Sequence, residues 1–201
     1  MAILSGNIAD VYICSGTGTT FTDEATTLVS GTTYQITDAS KRIIDTTSAI
    51  TVKDGATTLA STAYTVVPGT GKVILAAAPS GAVTVTGKYL TASQLAQCTK
   101  WSANIGPNLQ DVSVFGSAWE QKAAVLQKGS ITVNRFYATG AYFYTQLNVP
   151  MVVTLYENQS GGARYVAVCQ METDALEVSE GAIQGENVSF TTTGNVDYAS
   201  S

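Results

Sequence analysis

The chain has 201 residues, of which 45% are hydrophobic and only 12% charged, and its formal net charge at pH 7 is −5. This length allows one or two domains with a buried core. Because the chain contains no histidine, Ser-His-Asp and Cys-His nucleophile systems and histidine-ligated metal sites are excluded. The negative charge disfavours non-specific attraction to nucleic acid. A charged fraction below the usual ~25% favours a surface that is covered by copies of the chain.

The first 90 residues predict short strands. Residues 7–14 and 32–37 are predicted strands, with a loop at 15–20. From 38 to 90 we predict a compact β-rich module, because turn signals recur there every ~8–12 residues, as in a sandwich or small barrel. Its best hairpin signal is Asp54-Gly55, since both central residues of a type I′ turn need positive φ. Further turns are predicted at 68–71 and 79–81.

A strand is predicted up to Trp101, followed by a loop at 102–110 because Gly106-Pro107 is a strong turn signal. The pattern of residues 111–137 then predicts a strand, an irregular connection around Trp119 and a second strand. In the second strand Ile131, Val133, Arg135 and Tyr137 share one face. Gly129 marks the bend or bulge at which this strand begins.

The one helix that the sequence predicts lies at 138–148, and Gly140 and Pro150 are expected to keep it short. Strands are predicted at 149–156, 163–178 and 188–194, with a turn at 158–162. In the last strand Val188 and Phe190 are expected to point inward. The chain is therefore predicted to be mainly β, with one short flanking helix.

The cysteines are three in number and far apart: Cys14, Cys98 and Cys169. An odd count without CxxC spacing argues against a disulfide framework or a zinc site and favours buried free thiols in a reducing cytosol. No basic leader and no apolar run of about 20 residues is present, so we expect neither a secretory signal nor a membrane span.

Acidic residues are concentrated near the C-terminus. Residues 151–201 contain seven acidic residues and one basic residue, whereas the first 150 contain eight acidic and nine basic. The concentration indicates either a solvated acidic face or a surface that repels an anion. Glu172 and Asp174 would share one face of a strand. Paired acids can hydrolyse glycosides, but an exposed acidic face is the favoured interpretation, and no catalytic, cofactor or metal site is predicted.

Two other groups of residues have a structural interpretation. Trp101 and Trp119 are expected to anchor the core rather than to form a ligand platform, and tyrosines 137, 142 and 144 to pack the helix on the sheet. For Arg135 we favour an ion pair or an intersubunit contact over nucleic-acid binding.

The order of elements from 92 to 196, with part of the N-terminus, resembles the tail tube proteins of tailed bacteriophages. The matching features, in order, are Asp111, Val112, Val114, Gly116-Ser117, Gly129, the strand at 130–137, the helix after it, and the ending VSFTTTGNV at 188–196. The module at 38–90 resembles a β-rich segment of phage structural proteins and looks like an insertion.

The resemblance implies a tail-tube-like β-sandwich made of residues 1–37 and 91–201, with the module inserted. It also implies that copies join edge to edge into hexameric rings, which stack into the hollow tube of a virion assembled in the host cytoplasm. Other tail proteins (tape measure, terminator and baseplate) would be partners, and double-stranded DNA would pass without specific binding. Acidic residues that face the lumen would let DNA slide; the candidates are Glu172, Asp174, Glu177, Glu180 and Glu186.

Three alternatives remain at this stage. One is another virion β-protein, such as a capsid decoration protein or a tail terminator or adaptor. A second is a carbohydrate-active β-sandwich enzyme with Glu172 or Asp174 as its acid. The third is a cell-surface adhesin, which would need a secretion signal.

Overall fold

A computed structural model describes residues 10–14, 16–95, 98–111, 119, 122–137, 143, 146–147, 149–157, 163–178, 180 and 184–199. The chain divides into two compact units. Unit 1 comprises Met1–Leu95, Met151–Ala167 and Asp197–Ser201, and unit 2 comprises Ala96–Pro150 and Val168–Val196.

The described residues form antiparallel sheets, which confirms the prediction of a mainly β chain. Their strands are β1 Val11–Cys14, β2 Thr19–Ser30, β3 Thr33–Ile36, β4 Thr51–Asp54, β5 Thr57–Thr58, β6 Tyr64–Val67, β7 Lys72–Leu75, β8 Val83–Tyr89, β9 Ser93–Gln94, β10 Cys98–Asp111, β11 Lys122–Phe136, β12 Pro150–Tyr156, β13 Arg164–Glu177 and β14 Gly185–Ala199. One sheet has the order β10-β11-β14-β13-β12-β1-β9 and the other β5-β4-β8-β2-β3-β7-β6.

The second of these sheets, which we call the module sheet, lies within unit 1 and encloses its own core. Alternating residues of its strands point inward and, together with Ile44 outside the strands, form one buried cluster: Phe21, Ile36, Ile44, Val52, Val73, Leu75, Val83 and Val85. Strands β2 and β3 precede residue 38, yet they pair with β8 and β7. That residues 38–90 are an inserted domain stays a prediction.

Strand β2 holds the module sheet together because its two halves have different partners. Its first half pairs with β8 and its second half with β3, with a register shift between Phe21 and Glu24. Within this shift Asp23 has a φ of 49°, a left-handed conformation that Asp tolerates better than most residues. The Asp23 N–H donates to Thr86 Oγ1 at 2.9 Å, and Lys53 Nζ lies 2.7 Å from Asp23 Oδ1. The bulge is therefore held by both backbone and side-chain contacts.

The hairpin predicted at Asp54-Gly55 is present, but its turn differs from the prediction. Asp54 pairs with Thr57, so the two turn residues are Gly55 and Ala56, and of these only Gly55 has positive φ. The Asp54 carboxylate instead accepts hydrogen bonds from the backbone of Ser80 at 2.8 Å and of Gly81 at 2.6 Å. The hydrogen bond from the Ser80 N–H is the largest cause of the lowered pKa of Asp54, and the bond from the Gly81 N–H lowers it further. Asp54 thus ends one strand and holds the predicted turn at 79–81.

Strands β1, β9 and β12 pair in unit 1. Five consecutive residues of β12 are buried: Met151, Val152, Val153, Thr154 and Leu155. A strand that buries both faces has a nearly continuous apolar sequence. Cys14 and Cys169 are buried thiols that form no disulfide, as predicted, and burial raises the pKa of each to about 12. Cys98 also forms no disulfide but is only half-buried.

In unit 2 the predicted loop at 102–110 is wrong. These residues are part of β10, which runs through Gly106-Pro107 and pairs with β11 as far as Asp111 opposite Lys122. Pro107 is tolerated because β10 is an edge strand. The prediction that Trp119 anchors the core is also wrong, since its side chain is 84% exposed.

Some predictions fall outside the described residues. These are the turn at 158–162, the connection at 112–118 and 120–121, tyrosines 142 and 144, and most of the predicted helix at 138–148. Of that helix Phe143 is described, and it is helical and fully buried. Val188 and Phe190 are fully buried, as predicted. Among the described residues there is no helix that is both long and apolar enough to cross a membrane.

Candidate functional site

The two long strands β10 and β11 form an antiparallel hairpin, which we call the ribbon. Their register continues from Cys98 opposite Arg135 to Asp111 opposite Lys122, with irregularities at 98–100 and 108–109. On its other side β11 pairs with β14, but only over Ser130–Phe136. We call the remainder, residues 105–111 and 122–129, the free part of the ribbon. A two-stranded ribbon that lacks a third strand is at best marginally stable in water.

Gly129 lies where the free part of the ribbon begins. Its backbone N–H donates to Thr192 Oγ1 at 2.9 Å. A Cβ atom at this position would stand 2.7 Å from Thr192 Cγ2, far inside van der Waals contact. Only glycine allows β11 to approach β14 this closely and then diverge. The prediction that the strand begins at Gly129 with a bend or bulge is wrong, because β11 begins at Lys122 and its register with β10 is regular at Gly129. Glycine is needed there for the close approach to Thr192.

The free part of the ribbon exposes apolar side chains. Ile105 is 43% exposed and Leu109 is 54% exposed, and the residues from Pro107 to Asp111 are all exposed. Lys128 and Gln127 on the facing strand are exposed as well. A strand with both faces in water is unusual in a folded chain and favours contact with a partner.

Among the described residues strand β10 has no second neighbour, so it presents an open edge. In the sheet order it is the terminal strand, with β11 as its neighbour on one side. Lys100, Pro107 and the two register irregularities are features that protect edges from adventitious pairing. Between them lies a regular stretch, residues 101–106, without such protection. Its outward N–H and C=O groups form a template for another strand.

At the other end of β11 a charged pair is buried. Arg135 is 7% exposed and Glu186, on β14, is 3% exposed. The Arg135 Nε donates to Glu186 Oε2, and the guanidinium carbon lies 4.7 Å from the centre of the Phe143 ring. The prediction of an ion pair for Arg135 is confirmed. Each charge compensates the other, because either one alone would be strongly disfavoured in this environment.

Asp174 on β13 completes this cluster. Burial and the neighbouring carboxylate of Glu186 raise its pKa, and the positive charge of Arg135 opposes them. The Oδ1 atom of Asp174 is buried, and a side-chain hydrogen bond with Glu186 is a further cause that raises the pKa of Asp174. The three groups together carry two acids and one base, so one carboxylate is in excess.

A groove of about 470 Å³ opens beside the cluster, and we call it the acidic groove. Apolar walls and acidic groups line it: Tyr137, Leu147 and Leu176, with Glu172, Asp174, Glu186 and Thr173. Leu176 is 53% exposed and Leu147 is 39% exposed. Glu172 accepts a hydrogen bond from Thr191 Oγ1 at 2.7 Å and remains exposed. The groove therefore combines apolar walls with excess negative charge.

The five predicted lumen acids have different environments. Glu172, Glu177 and Glu180 are exposed, Asp174 is half-buried, and Glu186 is buried against Arg135. Sequence reasoning grouped them by charge and missed the pairing of Glu186. The signal was present in the strand pattern, since Glu186 shares the parity of the inward residues Val188 and Phe190.

The acids Glu172 and Asp174 were the one catalytic option that the sequence offered. Asp174 lies beside Glu186 and Arg135, and Glu172 bonds to a threonine hydroxyl. Among the described residues no group of three or more histidine, cysteine, aspartate or glutamate side chains could hold a metal ion. The described arrangement can accept a positively charged group, and it shows no nucleophile with an adjacent base.

No protein-family model matches the chain, and no curated protein matches it. Solved structures that are similar to it include the tail of an empty GTA particle, described with C6 symmetry, and the virion of a native gene transfer agent particle. The first has 10% sequence identity and a TM-score of 0.43, with 55% of this chain and 87% of that chain covered. The second has 10% identity and a TM-score of 0.41, with 54% and 89% covered. Each likeness extends over about half of this chain.

Proposed function

We propose that the chain is the structural subunit of a phage-like tail tube, in which copies join into hexameric rings that stack into a hollow conduit for DNA. The observation that carries the proposal is the ribbon, with its open β10 edge and its exposed apolar residues. Pairing with the next copy would satisfy that edge and cover those residues. The sequence resemblance to tail tube proteins supports the same assembly.

In this proposal the subunit is a component of the virion, assembled in the host cytoplasm, and the chain is not an enzyme. Its partners are other copies of itself, and the tape measure, terminator and baseplate proteins of the tail. DNA passes through the tube without being bound. The low proportion of charged residues, 12%, supports a surface that is mostly covered in the assembly.

We propose further that the lumen is lined by exposed acids of the C-terminal quarter, chiefly Glu172, Glu177 and Glu180. Favourable contacts to phosphate would retain DNA, whereas like charge keeps it mobile. Asp174 and Glu186 contribute to the local field from within their cluster. A variant with all three exposed acids replaced by glutamine is expected to form tubes that retain double-stranded DNA at low salt. Tubes that release DNA as readily as wild-type tubes would refute this lining.

Electron microscopy of the purified protein, with light scattering on the same sample, tests the assembly. We expect hollow tubes or six-fold rings. A capsid decoration protein or a terminator is the alternative, favoured by the separate core of the module sheet. A species that stays monomeric or trimeric, or single rings that never stack, would support that alternative and refute the tube.

Two neighbouring proline variants test the edge itself. Along a strand the N–H groups alternate in direction, so one of Ala103 and Asn104 donates towards β11 and the other away from it. Proline at the outward position is expected to leave the fold intact, as judged by the melting temperature, and to abolish assembly. Proline at the inward position breaks a hydrogen bond within the ribbon and is expected to lower the melting temperature. If a folded variant of each kind assembles normally, the β10 edge is not the contact.

A further inference from the structure

The acidic groove lacks a positive group of its own to balance its acids. Glu172, Asp174 and Glu186 line it, and among the described residues Arg135 alone compensates them, through Glu186. Asp174 shares its end of the groove with the carboxylate of Glu186, and burial together with that neighbour raises the pKa of Asp174. The groove can therefore bind a further cation, and no other described residue of the same chain places a positive group in it.

The shape of the groove restricts the kind of cation. Its walls are the apolar side chains of Tyr137, Leu147 and Leu176, and Leu147 and Leu176 remain exposed to water. A lysine side chain fits this pattern, because its aliphatic stem covers apolar surface while its ammonium reaches a polar end. An inorganic cation would leave the apolar walls in water.

The chain itself carries suitable lysines, and they lie on the ribbon. Among the described residues several other basic groups are engaged: Lys41 with Glu24, Lys53 with Asp23, and Arg135 with Glu186. Lys128 is exposed, has no acidic partner in the described part of the chain, and belongs to the free part of the ribbon. Lys100 is also exposed, but it lies opposite Asn134 in the part of the ribbon that β14 supports.

We propose that the acidic groove of one copy receives the Lys128 side chain of a second copy, so that this contact helps to fix how subunits join. The inference rests on the proposed self-assembly and adds its residue contact. The Lys128 ammonium binds the carboxylate of Asp174, and its stem packs on Leu176. The contact gives the acids of the groove a charge-assisted hydrogen bond from a group that balances their charge.

The concentration needed for assembly, measured by light scattering, tests the groove. Asp174→Asn keeps the size of the side chain and removes its charge, and we expect it to raise this concentration by roughly ten-fold or more. Glu177→Gln is the matched control, since Glu177 is an exposed acid of the same strand outside the groove. It is expected to assemble as the wild type does. Melting temperatures verify that both variants are folded.

The same measurement tests the donor. Lys128→Gln is expected to raise the assembly concentration as Asp174→Asn does, while Lys100→Gln leaves it unchanged. The double variant Asp174→Asn/Lys128→Gln should be no worse than either single variant, because both remove one contact. If Asp174→Asn assembles like the wild type, or if the two effects simply add, the inference is wrong and the tube proposal stands. A wild-type chain that never associates refutes the tube proposal and this contact with it.

Discussion

The module sheet and the ribbon are both antiparallel, yet they satisfy their side chains in opposite ways. The module sheet buries eight apolar residues in one cluster and closes its turns with carboxylates such as Asp54. The ribbon extends two long strands whose described free part buries almost nothing and leaves Ile105 and Leu109 exposed. One region is therefore complete as a folded unit, whereas the other has the properties of a surface that is completed by a partner.

The largest effect is expected from breaking the buried pair at the base of the ribbon. Arg135→Met would leave Glu186 without its compensating charge, and we expect a loss of about 3–5 kcal/mol in the free energy of unfolding, measured in urea. The double variant Arg135→Met/Glu186→Leu should recover most of that loss, because it removes both charges. A single variant as stable as the wild type would show that the pair does not hold the ribbon to β14.

The next largest effect is expected in the module core. Ile44→Ala removes a fully buried side chain and should cost about 2–5 kcal/mol, depending on how far the cavity collapses. Ile105→Ala is the matched change in the ribbon, where the side chain is 43% exposed. At concentrations below assembly we expect its effect on urea unfolding to stay within about 0.5 kcal/mol. Equal losses of unfolding free energy at the two sites would show that the module sheet and the ribbon do not differ in this way.

A smaller effect is expected where the ribbon leaves the sheet. Gly129→Ala would place a methyl group against Thr192, and such overpacking costs about 1–3 kcal/mol. Gly106→Ala is the control within the same ribbon, since nothing lies within 4 Å of its would-be Cβ. Its unfolding free energy should stay within about 0.5 kcal/mol of the wild type. If both alanines are equally tolerated, β11 does not depend on close approach to β14.

The smallest effect concerns pH and the turns of the module sheet. Hydrogen bonds from Ser80 and Gly81 lower the pKa of Asp54 in the folded chain. The stability they contribute is therefore present above the ordinary Asp pKa of about 3.9 and is lost as pH falls through the lowered value. Asp54→Asn should flatten the dependence of the melting temperature on pH in this acidic range. An unchanged slope would mean that the Asp54 carboxylate does not support the turn.

Much of the module sheet was predictable because its signals are local. Gly-containing turns were predicted at Asp54-Gly55, 68–71 and 79–81, and strands β4, β6 and β8 end or begin within two residues of them. The type of the first turn was not predictable, because Asp54 is engaged by Ser80, 26 residues away. Local propensity cannot register such a contact.

The ribbon was harder to predict for a physical reason. On the β10 side of its free part, residues 105–111, no residue is buried, so no alternating pattern marks this segment as a strand, and Gly106-Pro107 indicated a turn. Pairing with β11 overrides that local preference. The acidic groove was half predictable: the acids were recognised, but the pairing of Glu186 with Arg135 depends on the register between β11 and β14.

Hydrogen exchange at two protein concentrations tests whether copies pair through β10, because it measures the protection of each amide along that edge. On assembly, the outward amides of residues 101–106 are expected to become strongly protected, while those of the module sheet keep their protection. If the amides of β10 exchange as fast in the assembled protein as in the dilute protein, copies do not pair through this edge.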